Sequence, residues 1–193
     1  MVEIAGGRST AGTGGDVSVQ SGVGVNQSGS LSLVTAANDI SGDVTLMTGG
    51  NSSNRSGTTR IATGSATERA GDVIVRPGAS NDVAGKLTLT GGKSAIATGG
   101  SVDITSGFGT NSTSGAVTVR TADAGVNGAS GPIAISTGTS STATTGSITL
   151  TTGPALADVA AGDINVVGGA SVNGQAASVV VKGGAATGTG TAG

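Results

Sequence analysis

Proton transfer in catalysis often rests on His, Cys or Tyr, and this sequence contains none of the three. Acid–base work would fall to Asp, Glu, Lys and Arg. The acids are Glu3, Asp16, Asp39, Asp43, Glu68, Asp72, Asp82, Asp103, Asp123, Asp158 and Asp163, and they are scattered. No paired-carboxylate constellation is evident among them. Asp16, Asp43, Asp72 and Asp163 each follow a Gly, a placement that suits a solvated turn better than a catalytic acid. Gly14–Gly15–Asp16 echoes a calcium-binding nonapeptide repeat, but its period is missing. Without Cys there are no disulfides, no thiolate chemistry and no Cys-based zinc site. No catalytic residue, cofactor site or metal site is therefore expected, and the chain reads as a non-enzyme.

Composition excludes further classes. Nine basic residues stand against eleven acidic ones, for a net charge of −2. There is no basic patch to track phosphates and no aromatic platform for stacked bases, so no nucleic-acid partner is expected. No apolar run is long enough to cross a bilayer, so membrane insertion is not expected. Met1–Ser9 lacks the charged-then-apolar form of a signal peptide. The single aromatic residue is Phe108, and 38 of 193 residues are Gly. Disordered linkers are poor in aliphatic residues, whereas Val, Ile and Leu run along nearly the whole of this chain.

Those aliphatics are periodic. Twelve anchors, Gly15, Gly29, Gly42, Gly57, Gly71, Gly85, Gly100, Gly115, Gly131, Gly146, Gly162 and Ala177, recur at intervals of 13 to 16 residues. The second and fourth positions after each anchor are aliphatic, as in Val17 and Val19, Leu87 and Leu89, or Ile148 and Leu150, with Thr59 the exception. The sixth position is Ser or Thr in eight repeats, and the seventh is Gly or Ala throughout. The residue before each anchor, and most residues two past the closing Gly or Ala, are also small.

Alternation at period two is the signature of a half-buried strand. The expected fold is therefore all-β: a short-rung parallel β-solenoid, or parallel β-helix, of about 14–15 residues per coil and about thirteen rungs. Its core would be thin, flat and two-layered. The closing Gly would turn each corner in a backbone conformation closed to other residues. Phe108 would plug the end of one coil. Residues 1–193 would form a single repeat domain. Val2 and Ile4 fit the strand positions of a preceding rung, and Ala192–Gly193 begin a following one. Two readings fit ends in register: a segment of a longer array with flanking repeats, or end-to-end self-association into a filament.

On the solvent face of those strands, positions three and five would carry Thr45, Thr88, Thr90, Thr105, Thr118, Thr149 and Thr151. Thr88–Leu89–Thr90 and Thr149–Leu150–Thr151 resemble the T-x-T motif of insect antifreeze solenoids, which implies ice or another ordered surface as a partner. Arg60, Ile74, Arg76, Asp103, Arg120 and Lys182 interrupt the same columns. Thr is also a good strand-surface residue for ordinary reasons. Sequons occur at Asn26, Asn51, Asn54 and Asn111.

The phrases Ser41–Gly49 (SGDVTLMTG), Ser114–Thr121 (SGAVTVRT) and Thr145–Gly153 (TGSITLTTG) recur with small changes. They resemble the Gly/Ser/Thr-rich β-solenoid repeats of large extracellular proteins. In repeat length, though not in motif, they are similar to the head repeats of trimeric autotransporter adhesins. The resemblance implies an extracellular or cell-surface setting and a structural role as a stalk or filament segment. Ice binding is the alternative function, and an adhesin segment a weaker one.

Overall fold

The computed structural model describes residues 1–50 and 55–185. Ala192–Gly193 and the Asn51 and Asn54 sequons fall wholly or partly outside them. The chain divides into two units, Met1–Gly100 and Ser101–Gly193.

The β-solenoid expected from the sequence is not what the chain forms. Among the described residues there is no helix and no β-strand. Among the described residues no hydrophobic side chain is buried, and no polar one is either. The accessible surface is 19200 Å² for a 17.8 kDa chain. A compact protein of that mass would expose about 8000 Å², and its unfolded chain about 26000 Å². The thin two-layer core is therefore absent, and the names β-solenoid and parallel β-helix do not apply.

The physical reason lies in where the backbone hydrogen bonds go. A parallel ladder would join residues one repeat apart, 13 to 16 positions along the chain. The backbone bonds formed among the described residues are shorter in range. Gly15 N–H donates to Gly7, Gly29 to Gly22, Gly85 to Gly78, Gly100 to Gly92, Gly115 to Gly107 and Ala177 to Gly169, at 2.7–3.0 Å. Each closes a local loop and leaves neighbouring repeats unpaired. Alternating aliphatics name the face that would be buried if a neighbour lay against it, but they do not supply the neighbour. With so many Gly to order and no aromatic area to bury, the entropy of assembling such a stack is poorly opposed.

The repeat is nevertheless present in the structure as a repeat of loops. Bends fall at residues 10–12, 25–26, 38–40, 67–68, 81–83, 95–97, 110–112, 126–127, 141–143, 157–159 and 172–174, one in each fully described period. All lie between a closing Gly or Ala and the next anchor. In each period an aliphatic segment without regular secondary structure leads into a loop with a bent head.

The small residues two past the closing position shape these heads. Ser9, Ser80, Ser94, Ser140 and Ser171 occupy that position, and each hydroxyl accepts a backbone N–H two or three residues on, at 2.9–3.4 Å. This is the local Ser turn that competes with regular secondary structure. Where the position is Gly the backbone itself comes close. A Cβ on Gly109 would stand 2.6 Å from the Thr113 carbonyl oxygen, and one on Gly24 would collide with that of Gln27. The small column therefore serves the loop head and not a facing layer. The glycines whose surroundings are described lie outside the left-handed region, so close approach, and not the expected unusual backbone angle, is what calls for Gly here.

Candidate functional site

In half of the periods the most closely surrounded point is the base of the loop. Eight described residues are only partly exposed: Ser21, Thr35, Gly91, Ser94, Ser106, Gly109, Thr121 and Gly168. Six of them, all but Ser94 and Gly109, occupy the sixth position after an anchor. That position lies immediately before the closing residue, so the returning anchor passes over it. A Cβ placed on the returning Gly would meet the sixth-position side chain in repeat after repeat. Ser21 and Ser106 Cβ would lie 3.5 Å from it at Gly29 and Gly115, and Thr63 and Thr121 Cγ2 3.7 Å from it at Gly71 and Gly131. The two arms of the loop thus approach each other at the anchor to ordinary van der Waals contact.

The aliphatic columns are less protected than this polar one. The second position is about half exposed, as in Leu87 at 49% and Val102 at 53%, and the fourth more so, as in Leu89 at 69%. Aliphatics of the loop heads stand free in solvent, as Ile96 does at 100%. Phe108, expected to plug a coil, is 89% exposed.

The sequence-derived Thr set is dispersed. Thr45, Thr88, Thr90, Thr105, Thr118, Thr149 and Thr151 are all exposed, and no sheet brings them into register. The acids are likewise exposed. Asp103 accepts a hydrogen bond from the Ser101 hydroxyl at 3.2 Å. Asp16, Asp43, Asp72 and Asp163 are solvated beside their anchors. Glu68 and Asp82 do share a register position in consecutive repeats, a coincidence easily overlooked among scattered acids, but they sit on separate exposed loop heads. Among the described residues no three of His, Cys, Asp and Glu gather to hold a metal ion, and no helix is long and apolar enough to cross a membrane. Asn26 and Asn111 lie in loop-head bends.

One depression, of about 400 Å³, is lined by Arg120, Thr121, Ala122 and Asp123. These four consecutive residues flank the base of the loop between Ala122 and Gly131. They set a guanidinium and a carboxylate near a hydroxyl, with no nucleophile activated beside them. The sixth-position column is visible in the sequence, as Ser or Thr in eight repeats, but as a strand end; neither its place at a loop base nor this depression is legible there.

No family model matches the chain, and neither a curated protein nor a solved structure matches it.

Proposed function

We propose that the chain is a non-enzymatic structural repeat module, a spacer within a longer extracellular or surface protein. The observation that carries this reading is the repetition of one local device, a bent loop between a closing Gly or Ala and the next anchor, through every fully described period. A device repeated with only small changes suits a role set by the number of repeats. A catalytic role would need one repeat to gather reactive groups that the others lack, and the acids here are exposed and scattered over separate repeats. Weakly coupled repeats add length in small increments. The Gly/Ser/Thr composition keeps such a chain hydrated and pliant.

Dye-labelled variants test the spacer role within one unit. Ser9→Cys and Ser80→Cys place labels on two loop heads of the Met1–Gly100 unit. Removing one whole period, residues 29–41, should shorten the mean separation between the labels, and duplicating it should lengthen the separation. A separation that does not respond to repeat number would overturn the spacer reading. Thermal hysteresis, measured on the same proteins, should be nil. Hysteresis that disappears in Thr88→Ala and Thr149→Ala would assign the chain to ice binding instead.

A further inference from the structure

The loop bases fall into two classes, and one residue separates them. The base is closed by a backbone hydrogen bond where the sixth position is Gly6, Ser21, Pro77, Gly91, Ser106 or Gly168. In the fully described loops that follow Thr35, Thr63, Thr121, Thr137 and Thr152, the equivalent bond is not formed. Loop length does not account for the division. The loop from Gly64 to Gly71 spans the same number of residues as those from Gly22 to Gly29 and Gly78 to Gly85, yet only the latter two close. The loop from Gly138 to Gly146 equally matches that from Gly107 to Gly115, and again only the second closes.

We infer that the residue at the sixth position is a latch selector: a Thr there props the loop base open, and a residue without a branched Cβ lets it close. The geometry gives the cause. At each Thr base the methyl group faces the returning anchor. A Cβ on the anchor would lie 3.4 Å from Thr137 Cγ2, and 3.7–3.9 Å from the Cγ2 of Thr35, Thr63, Thr121 and Thr152. The methyl group thus occupies the space through which the anchor would approach the closing carbonyl. β-branching also restricts χ1, so the methyl cannot readily swing away.

At the Gly bases the arms come closer still. A Cβ on Gly6 or Gly91 would collide with the carbonyl oxygen of Gly15 or Gly100, and the bonds there are 2.7 and 2.8 Å. The Gly168 base, whose anchor is Ala177 and not Gly, is looser, at 3.0 Å. The Ser bases bond at 2.9 Å, and the Pro77 base at 3.0 Å. The order Gly, Ser, Thr therefore runs from tight through ordinary to open.

The consequence is a chain whose local stiffness is written by one residue per repeat. Within Met1–Gly100, closed bases stand at both ends of the unit and the Thr bases lie between them. In Ser101–Gly193 the three Thr bases at Thr121, Thr137 and Thr152 follow one another between the closed bases at Gly107 and Gly169. Runs of open loops would yield first under tension, and closed ones would hold their ends together.

Scalar couplings across hydrogen bonds, with amide exchange rates at the anchors, test the selector in the full chain. In the parent the Gly71 amide, which makes no bond to Gly64, should show no such coupling and should exchange fast. In Thr63→Ser it should couple to the Gly64 carbonyl and exchange roughly two- to tenfold more slowly, the effect of one modest hydrogen bond. Thr63→Val keeps the branch and removes the hydroxyl, and should leave Gly71 unprotected. Ser106→Thr should abolish the coupling between Gly115 and Gly107. The inference is overturned if Thr63→Val closes the base as Thr63→Ser does, which would show that a branched Cβ does not hold it open. It is equally overturned if Ser106→Thr leaves the coupling of Gly115 intact.

Discussion

At the scale of single residues, the side chains with the largest apolar area matter least to the structure, and the small ones matter most. Leu89 illustrates the first point. In a solenoid its replacement by Asp would bury an unpaired charge at a cost of several kcal/mol. Here Leu89 is 69% exposed. Leu89→Asp is expected to change stability by less than about 0.5 kcal/mol, as at other solvated positions, and to leave the circular dichroism spectrum unaltered. A loss of ordered signal in that variant would show that Leu89 has a packing partner. The glycines illustrate the second point. A Cβ on Gly109 meets carbonyl oxygens on both Ser112 and Thr113, whereas one on Gly138 meets nothing within 4 Å. Gly109→Ala should therefore shift the amide resonances of its loop head, roughly residues 107–115, and Gly138→Ala should be silent. Equal effects from the two substitutions would contradict close approach as the reason for Gly at residue 109.

At the scale of the loop, much of the design is legible in the sequence and one part is not. The anchors and closing residues stand out from spacing alone, and they are the residues whose backbone groups meet at the loop base. The variable half of each period is where the chain bends. The error lies in the aliphatic pairs, such as Val17 with Val19 or Ile148 with Leu150. Their alternation suggests strands, but alternation is a property of one segment, and a strand is a property of two. Ladder bonds to a neighbouring repeat do not form, and six of the anchors bond instead to the closing residue of the loop just before them. The Ser residues of the loop heads tip that competition by offering the backbone a nearby acceptor. The latch position was invisible for a related reason. Ser and Thr look equivalent as small polar residues, and only the returning anchor distinguishes a methyl group from a hydrogen.

At the scale of the whole molecule, the described residues bury no core. Cooperative unfolding of a globular protein derives from apolar area that becomes exposed all at once, together with a large positive heat-capacity change. A chain whose aliphatics are already at least half solvated has little left to expose, and the loss of one loop base leaves the next unaffected. Denaturant should therefore act gradually, with a small dependence on its concentration. Scanning calorimetry of the full chain addresses this most directly. The expected result is a trace without a cooperative heat-absorption peak. A sharp endotherm on the order of 100 kcal/mol, the size expected for a folded protein of this length, would contradict it and show that the aliphatic columns are packed.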